Sequence, residues 1–260
     1  MYYRTRGIVL KSMDYRDADK LVSIFSEKEG KIRTIAKGVK KPRSSLRACL
    51  QPFCHTQLYL HRGRDLDLIT QGRIINFFGN TREDMQRTLQ AVYLLELLDK
   101  SLMERVPLPG LYTDVLVVLD VMDREGMQPL FMRFVELSVL VNLGYRPVLD
   151  ECVGCGSRSE LGTVFDLPAG GLICSRCRDR SGSGFLLSGE AIGLLRLMMS
   201  VQASTLHRVR ASVPALQQME IFLEKYLEYH LERKFKMKDT IRRLKQMVVN
   251  LDREIPDGKH

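Results

Sequence analysis

The spacing of apolar residues changes once along this chain, near residue 80, and that change constrains the fold more than any other feature. Before it, apolar and polar residues alternate, as in strands buried on one face. After it, apolar residues recur every three or four positions, as in helices that pack one stripe inward. The expected class is α+β, with an N-terminal β unit followed by an all-α body.

Five runs carry the first pattern: Gly7–Lys11, Lys20–Ser26, Lys31–Ala36, Phe53–Leu60 and Leu66–Ile75. Glu29-Gly30-Lys31 reads as a hairpin turn, and Arg62-Gly63-Arg64 turns the chain before the fifth run. In the fourth run Cys54, Thr56, Leu58 and Leu60 share a face. In the fifth, Leu66, Leu68, Thr70, Gly72 and Ile74 take one side, and Asp65, Asp67, Gln71 and Arg73 mostly the other. Five short strands suit a small closed barrel, because closure removes exposed edges. The long connection between the third and fourth strands fits a five-stranded OB-fold; an SH3-like barrel is the rival on strand count alone.

From Thr81 the helical period takes over, with Met85, Leu89, Val92, Leu95, Leu98 and Leu102 on one face. Thr81 and Asp84 resemble an N-cap arrangement. Pro107 and Pro109 mark a break before helices over Leu111–Arg124 and Pro129–Leu143, the latter closed by Gly144. Helices return over Ser188–Ser200 and Ser212–Arg233, where Leu216, Met219, Leu223, Leu227 and Leu231 form the stripe. The basic ending, Arg233 to Lys238 and onward to Lys245, is expected to be partly frayed. The expected divisions are a barrel at 1–80, a first helical part at 81–149, a cysteine module at 150–182, and a second helical part with a basic tail at 183–260.

Four of the six cysteines form two pairs, Cys152-x2-Cys155 and Cys174-x2-Cys177. Each pair can bend around one side of a tetrahedral ion, with both thiolates about 2.3 Å from it. Gly154 and Gly156 allow the tight backbone this needs. Thr163-Val164-Phe165 and Leu172-Ile173, turned by Pro168-Ala169-Gly170-Gly171, form a hairpin that returns the second pair beside the first. Four thiolates leave no open coordination position, so the expected cofactor is one structural zinc, stapling a loop-rich insertion that lacks its own core. Cys49 and Cys54 stand apart in the barrel and read as small buried hydrophobes.

The net charge of +9 becomes informative once located: residues 1–80 hold 16 Lys and Arg against 7 Asp and Glu, whereas residues 81–260 hold 24 of each. Like charges concentrated on one small unit repel unless a polyanion uses them, so nucleic acid is the expected partner. The densest stretch runs from Lys37 to Arg47, where five of eleven residues are Lys or Arg. Lys37, Lys40, Lys41, Arg43 and Arg47 can follow phosphates there, Ser44 and Ser45 can donate to them, and Gly, Pro and Ser keep the backbone mobile. Arg33, Lys11, Arg16 and Lys20 are further candidates, and Tyr15 and Tyr59 could stack on bases. Without a base-reading motif, contacts to the backbone should dominate and sequence should matter little.

The chain carries no phosphate-binding Gly-rich motif, no His-Glu-x-x-His and no Gly-x-Ser-x-Gly, and its five histidines are scattered. Catalysis is therefore not expected. His230 lies beside an apolar stripe and reads as a packing residue. Neither a membrane-spanning apolar run nor a secretory signal is seen, so the expected location is the cytoplasm.

An ordered set of short motifs resembles the RecO family of recombination mediators. It comprises Gly7-Ile8-Val9-Leu10, Asp19-Lys20-Leu21, Phe25-Ser26, Gly30, Ala36-Lys37-Gly38, Ser44-x-Leu46-Arg47 and Leu50-Gln51-Pro52-Phe53. Leu94-Leu95-Glu96-Leu97-Leu98-Asp99, Arg133-Phe134-x-Glu136, Leu143-Gly144-Tyr145 and the cysteine quartet with Gly170-Gly171 continue it. The resemblance implies an N-terminal OB-fold, a helical body and a zinc module. It implies DNA binding, annealing of single strands and association with the nucleoid. The implied partners are single- and double-stranded DNA, RecR and the acidic, apolar tail of the single-strand-binding protein, with a functional link to RecA. It places Arg133 at a basic position of a partner pocket. The rival readings are a zinc-ribbon transcription- or RNA-associated factor and a nucleic-acid enzyme with an unrecognised site.

Overall fold

The structure, a computed structural model, describes residues 1–159, 161–178 and 184–244. Strands β1 (Tyr2–Tyr15), β2 (Asp19–Ser26), β3 (Gly30–Ala36), β4 (His55–His61) and β5 (Asp67–Asn76) close a barrel in the order β1-β2-β3-β5-β4. The long β1 makes closure possible. Its first half pairs with β4, from Tyr2↔His61 to Ile8↔His55, and its second half with β2, from Gly7↔Ser26 to Tyr15↔Asp19. A register shift between Val9 and Lys11 lets the strand bend from one partner to the other. A short parallel pairing of Thr34 and Ile35 with Asp67 and Leu68 seals the barrel.

The alternation predicts Gly7–Lys11 for this strand and misses Tyr2–Arg6. Thr5 is the buried residue there, between exposed Arg4 and Arg6, so no aliphatic marks the inward face. The predicted faces of β5 also need correction. Asp67 and Ile69 point inward at its start, and Gly72 and Ile74 are half-buried further on. The pairing runs Leu60↔Ile69 and then Tyr59↔Gln71, so Thr70 is the extra residue of a bulge that resets the alternation. Asp67, expected on the polar side, is fully buried. Its carboxylate accepts hydrogen bonds from Arg105 Nη2 at 2.9 Å, the Gly63 N–H at 3.0 Å and the Tyr3 hydroxyl. Burial pushes its pKa up, but these donors outweigh burial and hold it below the usual carboxylate range.

Between β3 and β4 a short helix α1 (Leu46–Cys49) plugs the barrel. Leu46, Cys49 and Leu50 join Val9, Val22, Ile24, Ile32, Leu58 and Leu60 in its core. Cys49 and Cys54 are thus buried, as expected. Gly72 makes room for the plug: a Cβ there would lie 2.7 Å from Cys49 Sγ and 3.2 Å from Leu46 Cδ2. Gly72→Val is expected to destabilise the chain by about 2 kcal/mol through overpacking, read as a lower urea midpoint with an unchanged slope.

The helical body comprises α2 (Gly79–Glu83), α3 (Met85–Ser101), α4 (Pro109–Glu125), α5 (Pro129–Asn142), α7 (Gly189–Met198) and α8 (Val213–Leu231), with a 3-10 turn at Ala203–Arg208, while the short α6 (Ser175–Arg178) lies in the cysteine module. The cap of α3 is Asp84, whose Oδ1 accepts the Arg87 N–H at 2.9 Å; Thr81 lies in α2. Met85 is exposed, while Ala91, Tyr93, Leu94 and Leu97 are buried beside the predicted Leu95 and Leu98. The predicted break falls between α3 and α4, and Pro109 itself takes the first position of α4, which proline suits. The stretch 236–244 is helical, not frayed, and Phe235, Lys238 and Ile241 are buried. The rest of the expected basic tail, 245–260, lies outside the described residues.

Barrel and body share one core. Ile8, Leu10, Phe25 and Phe53 cluster with residues of α3, α4 and α5. The Arg82 guanidinium sits 3.9 Å from the ring centroids of both Phe53 and Phe77, and its Nη2 donates to Pro52 O at 2.7 Å. Ser23 Oγ donates to Asp99 Oδ1 at 2.7 Å, and Tyr112 Oη lies 3.0 Å from His55 Nε2. The polar surfaces of the barrel are therefore held in a fixed position on the body.

Candidate nucleic-acid interface and metal centre

The cysteine module is a three-stranded sheet in the order β7-β6-β8, with β6 at Leu161–Asp166, β7 at Gly171–Cys174 and β8 at Gly184–Leu186. The predicted hairpin is β6 and β7, paired Val164↔Ile173 and Phe165↔Leu172. It carries Cys174 and Cys177 back to Cys152 and Cys155, and the four sulfurs lie within 4.8 Å of one another. Legs of 2.3 Å from a tetrahedral ion place thiolates about 3.8 Å apart; Cys155 Sγ and Cys174 Sγ are 3.8 Å apart.

The backbone is shaped for the cluster. The Cys174 N–H points at Cys152 Sγ at 3.3 Å, which favours a thiolate there. The Gly156 N–H closes the knuckle on Cys152 O at 2.7 Å, with Gly156 at φ +71°. A Cβ at Gly154 would lie 3.2 Å from Cys177 Sγ. The quartet can hold one metal ion and leaves no protein-free corner for chemistry. The module is less isolated than expected: Val164 and Ile173 pack beneath the cysteines, whereas Phe165 and Leu172 enter the core of the body, with Phe165 against Phe222 and Tyr226 of α8.

The structure draws most of the predicted basic residues to one end of the barrel. The Gly38 N–H donates to Asp19 Oδ1 at 2.9 Å and the Lys40 N–H to Ala18 O at 3.1 Å, tying the 37–47 segment to the β1–β2 turn. Val39 and Leu46 are buried, and successive turns run from Gly38 to Arg47. The segment is thus anchored to the barrel at Gly38, Val39, Lys40 and Leu46. Lys37, Lys41, Arg43 and Arg47 are exposed and form no ion pair among the described residues. Lys40 is different: its Nζ sits 2.8 Å from Asp14, with Lys20 at 3.9 Å from the same carboxylate.

Arg16 lies at the neighbouring turn, at φ 55°, with its guanidinium over Tyr15 at 5.2 Å. Lys11 is exposed on β1. Arg33 stands apart from this end, 3.8 Å from Glu104 where the barrel meets the body. Tyr59 is exposed on β4, away from the segment, so the two predicted stacking residues do not share a groove.

Arg133 is brought into a buried polar knot. Its Nη2 donates to Glu136 Oε1 at 2.9 Å, and its Nη1 is 3.3 Å from Glu220. Tyr93 Oη donates to the same Glu136 oxygen at 2.6 Å, and Lys238 Nζ lies 3.3 Å from it. Sequence reasoning missed Lys238, because the charge of the C-terminal stretch hid the Phe235 and Ile241 anchors three residues to either side. Arg133 borders a concavity of about 320 Å³ that also holds Glu220, Glu224 and Arg242. His230 packs among Tyr145, Tyr226 and Tyr229, and burial pushes its pKa down. Among the described residues, no helix is long and apolar enough to cross a membrane.

Comparison with known proteins covers nearly the whole chain. The family model "Recombination protein O N terminal" matches residues 1–78, and "Recombination protein O C terminal" matches 82–239. The chain is 52% identical to the DNA repair protein RecO of Syntrophomonas wolfei over 246 residues, covering 95% of this chain and 98% of that one. It is 32% identical to the DNA repair protein RecO of Desulforamulus reducens over 93% of this chain and 94% of the relative. For that of Symbiobacterium thermophilum the identity is 33%, over 92% and 98%.

Proposed function

Because the chain belongs to the recombination protein O family, we propose that it is a non-enzymatic, DNA-binding mediator of recombinational repair that binds and anneals single strands. The observation that carries this is the basic end of the barrel. Four exposed cations, Lys37, Lys41, Arg43 and Arg47, stand there without acidic partners among the described residues, near Arg16, while Lys11 lies farther along β1 in the same row of the sheet as Arg33. The strand order β1-β2-β3-β5-β4, with a helix between β3 and β4, supports reading the barrel as an OB-fold. The whole-chain similarity favours this reading over a zinc-ribbon transcription or RNA factor.

The quartet of Cys152, Cys155, Cys174 and Cys177 suits one structural zinc. Those four residues would hold the ion, which would cross-link β7 and α6 to the loop before β6 and would supply no reactive position. Lys37, Lys41, Arg43, Arg47, Lys11 and Arg16 hold phosphates, Arg43 and Arg47 with two donors each. Lys40 and Lys20 contribute less, since Asp14 already offsets their charge. Arg33 is the outlying member of the set.

Acting with RecR, the protein would help RecA replace the single-strand-binding protein on DNA. The acidic, apolar tail of that protein would dock on the helical body, near Arg133. Glu136 and Glu220 already hold the Arg133 guanidinium, so an acidic tail reaches it by displacing Glu220. Both the repair role and the sequence similarity fit the bacterial cytoplasm and the nucleoid.

The test is DNA affinity across a salt series. Each neutralised phosphate of a single strand adds about −0.7 to the slope of log affinity against log salt. Four to six contacts therefore give a slope of roughly −3 to −4, with little dependence on sequence. A flat salt dependence, or strong preference for one duplex sequence, contradicts the reading.

A further inference from the structure

At the other end of β1, its outer face forms a second basic surface with β4 and β5. The register puts Arg4 beside Tyr59 and Tyr59 beside Gln71; one step along, it puts Arg6 beside Gln57 and Gln57 beside Arg73. All of these except half-buried Gln57 are exposed. Arg4, Arg6, Lys28 and Gln57 line a concavity of about 290 Å³ together with Thr5 and Glu27. Glu27 is the one acid in that lining, and Arg6 holds it through Nη2 at 2.6 Å and Nε at 2.9 Å. Arg4, Lys28 and Arg73 form no ion pair among the described residues. Tyr59 is 40% exposed, and Tyr2, farther up the same face, is 73% exposed.

Exposed aromatic rings on a sheet, flanked by unpaired cations, match what a single strand offers: a phosphate backbone to track and bases with free faces to stack. Folding alone gives no reason for this set. The cations repel one another, and both rings keep much of their area exposed, although Tyr2 packs edge-on against His61 at 4.7 Å and the Tyr59 hydroxyl accepts from Gln57 Nε2 at 3.2 Å. We infer that the outer face of β1, β4 and β5 binds a second single strand of DNA, separate from the strand at the 37–47 segment. This extends the proposed annealing role. Along β1, Arg4 lies about 23 Å from Lys11 and about 35 Å from Tyr15, at roughly 3.3 Å per residue, so the two surfaces sit toward opposite ends of the strand.

The full chain is titrated with an eight-nucleotide oligo-dT, and bound strands are counted by native mass spectrometry at low salt. Parallel photo-crosslinking uses the same oligonucleotide carrying 5-iododeoxyuridine. The wild type should bind two octamers, with crosslinks at Tyr59 or Tyr2. The triple variant Arg4→Ala, Tyr59→Ala, Arg73→Ala should bind one and lose those crosslinks. Conservative replacement by Arg4→Lys, Tyr59→Phe and Arg73→Lys should keep two, which separates loss of contact from loss of fold. A chain in which Lys37, Lys41, Arg43 and Arg47 are alanine should retain one octamer, crosslinked to this face. If the wild type binds one octamer with crosslinks confined to the 37–47 segment, the second surface is overturned and the proposed function stands. If the triple variant still binds two, the second surface is likewise overturned. If the loop variant loses no strand while the triple variant loses one, the face holds DNA and the loop assignment fails.

Discussion

Replacing Lys37, Lys41, Arg43 and Arg47 with alanine should weaken single-strand binding roughly a thousandfold at low salt, through four phosphate contacts of about 1 kcal/mol each. The slope of log affinity against log salt should become shallower by about 3. These four are exposed and unpaired among the described residues, so their charge is available to a ligand. Lys40→Ala alone should do much less, because Asp14 sits 2.8 Å from its ammonium. Folding should hardly change, since exposed charges contribute little stability. The anchors Val39 and Leu46 and the Gly38–Asp19 hydrogen bond remain in the variant. Affinity is measured by fluorescence anisotropy from low to moderate salt, with circular dichroism as the folding control. A folded variant that binds as tightly as wild type would show that the segment is a solvated surface.

Cys174→Ser should lose the bound metal and markedly lower thermal stability. Structural zinc contributes on the order of 10 kcal/mol of apparent folding free energy in modules that depend on it. Elemental analysis of wild type purified without added metal should find about one zinc per chain. Part of the sheet should survive in the variant, because Phe165 and Leu172 are anchored in the main core. The loss should therefore open the segment carrying Cys152 and Cys155 first, which hydrogen exchange would report as lost protection there. Single-strand affinity should stay within about twofold, since the proposed phosphate contacts belong to the barrel. Metal-free wild type with full stability would sink the assignment.

Much of the fold is legible in the residues. The period change near residue 80 marks where strands give way to helices, because burial on one face imposes either a two-residue or a 3.6-residue repeat. The cysteine spacing leads directly to the observed cluster, because four thiols must converge for any of them to share an ion. What escapes is where local pattern and tertiary demand part company. The bulge at Thr70 inverts half of β5 and buries Asp67, which makes sense only with Tyr3 and Arg105 in view.

The basic ending reads as solvated until Glu136 supplies a buried partner for Lys238. Of the candidate site, the cations of 37–47 were visible as a run of charge, but their pairing was not. Nothing local says that Asp14, more than twenty residues upstream, neutralises Lys40 and leaves Lys41 bare. The face built from Arg4, Tyr59 and Arg73 was invisible because its members come from three strands that meet only when the barrel closes.

The most direct test of a strand-holding mediator is annealing. Two complementary labelled oligonucleotides are mixed with the full chain at low salt, without nucleotide, and duplex formation is followed by energy transfer. The proposed function predicts pairing well faster than the spontaneous rate, slowed as salt rises, with both strands recovered intact. Pairing at the spontaneous rate by a folded chain that binds single strands, or cleavage of either strand, would contradict it.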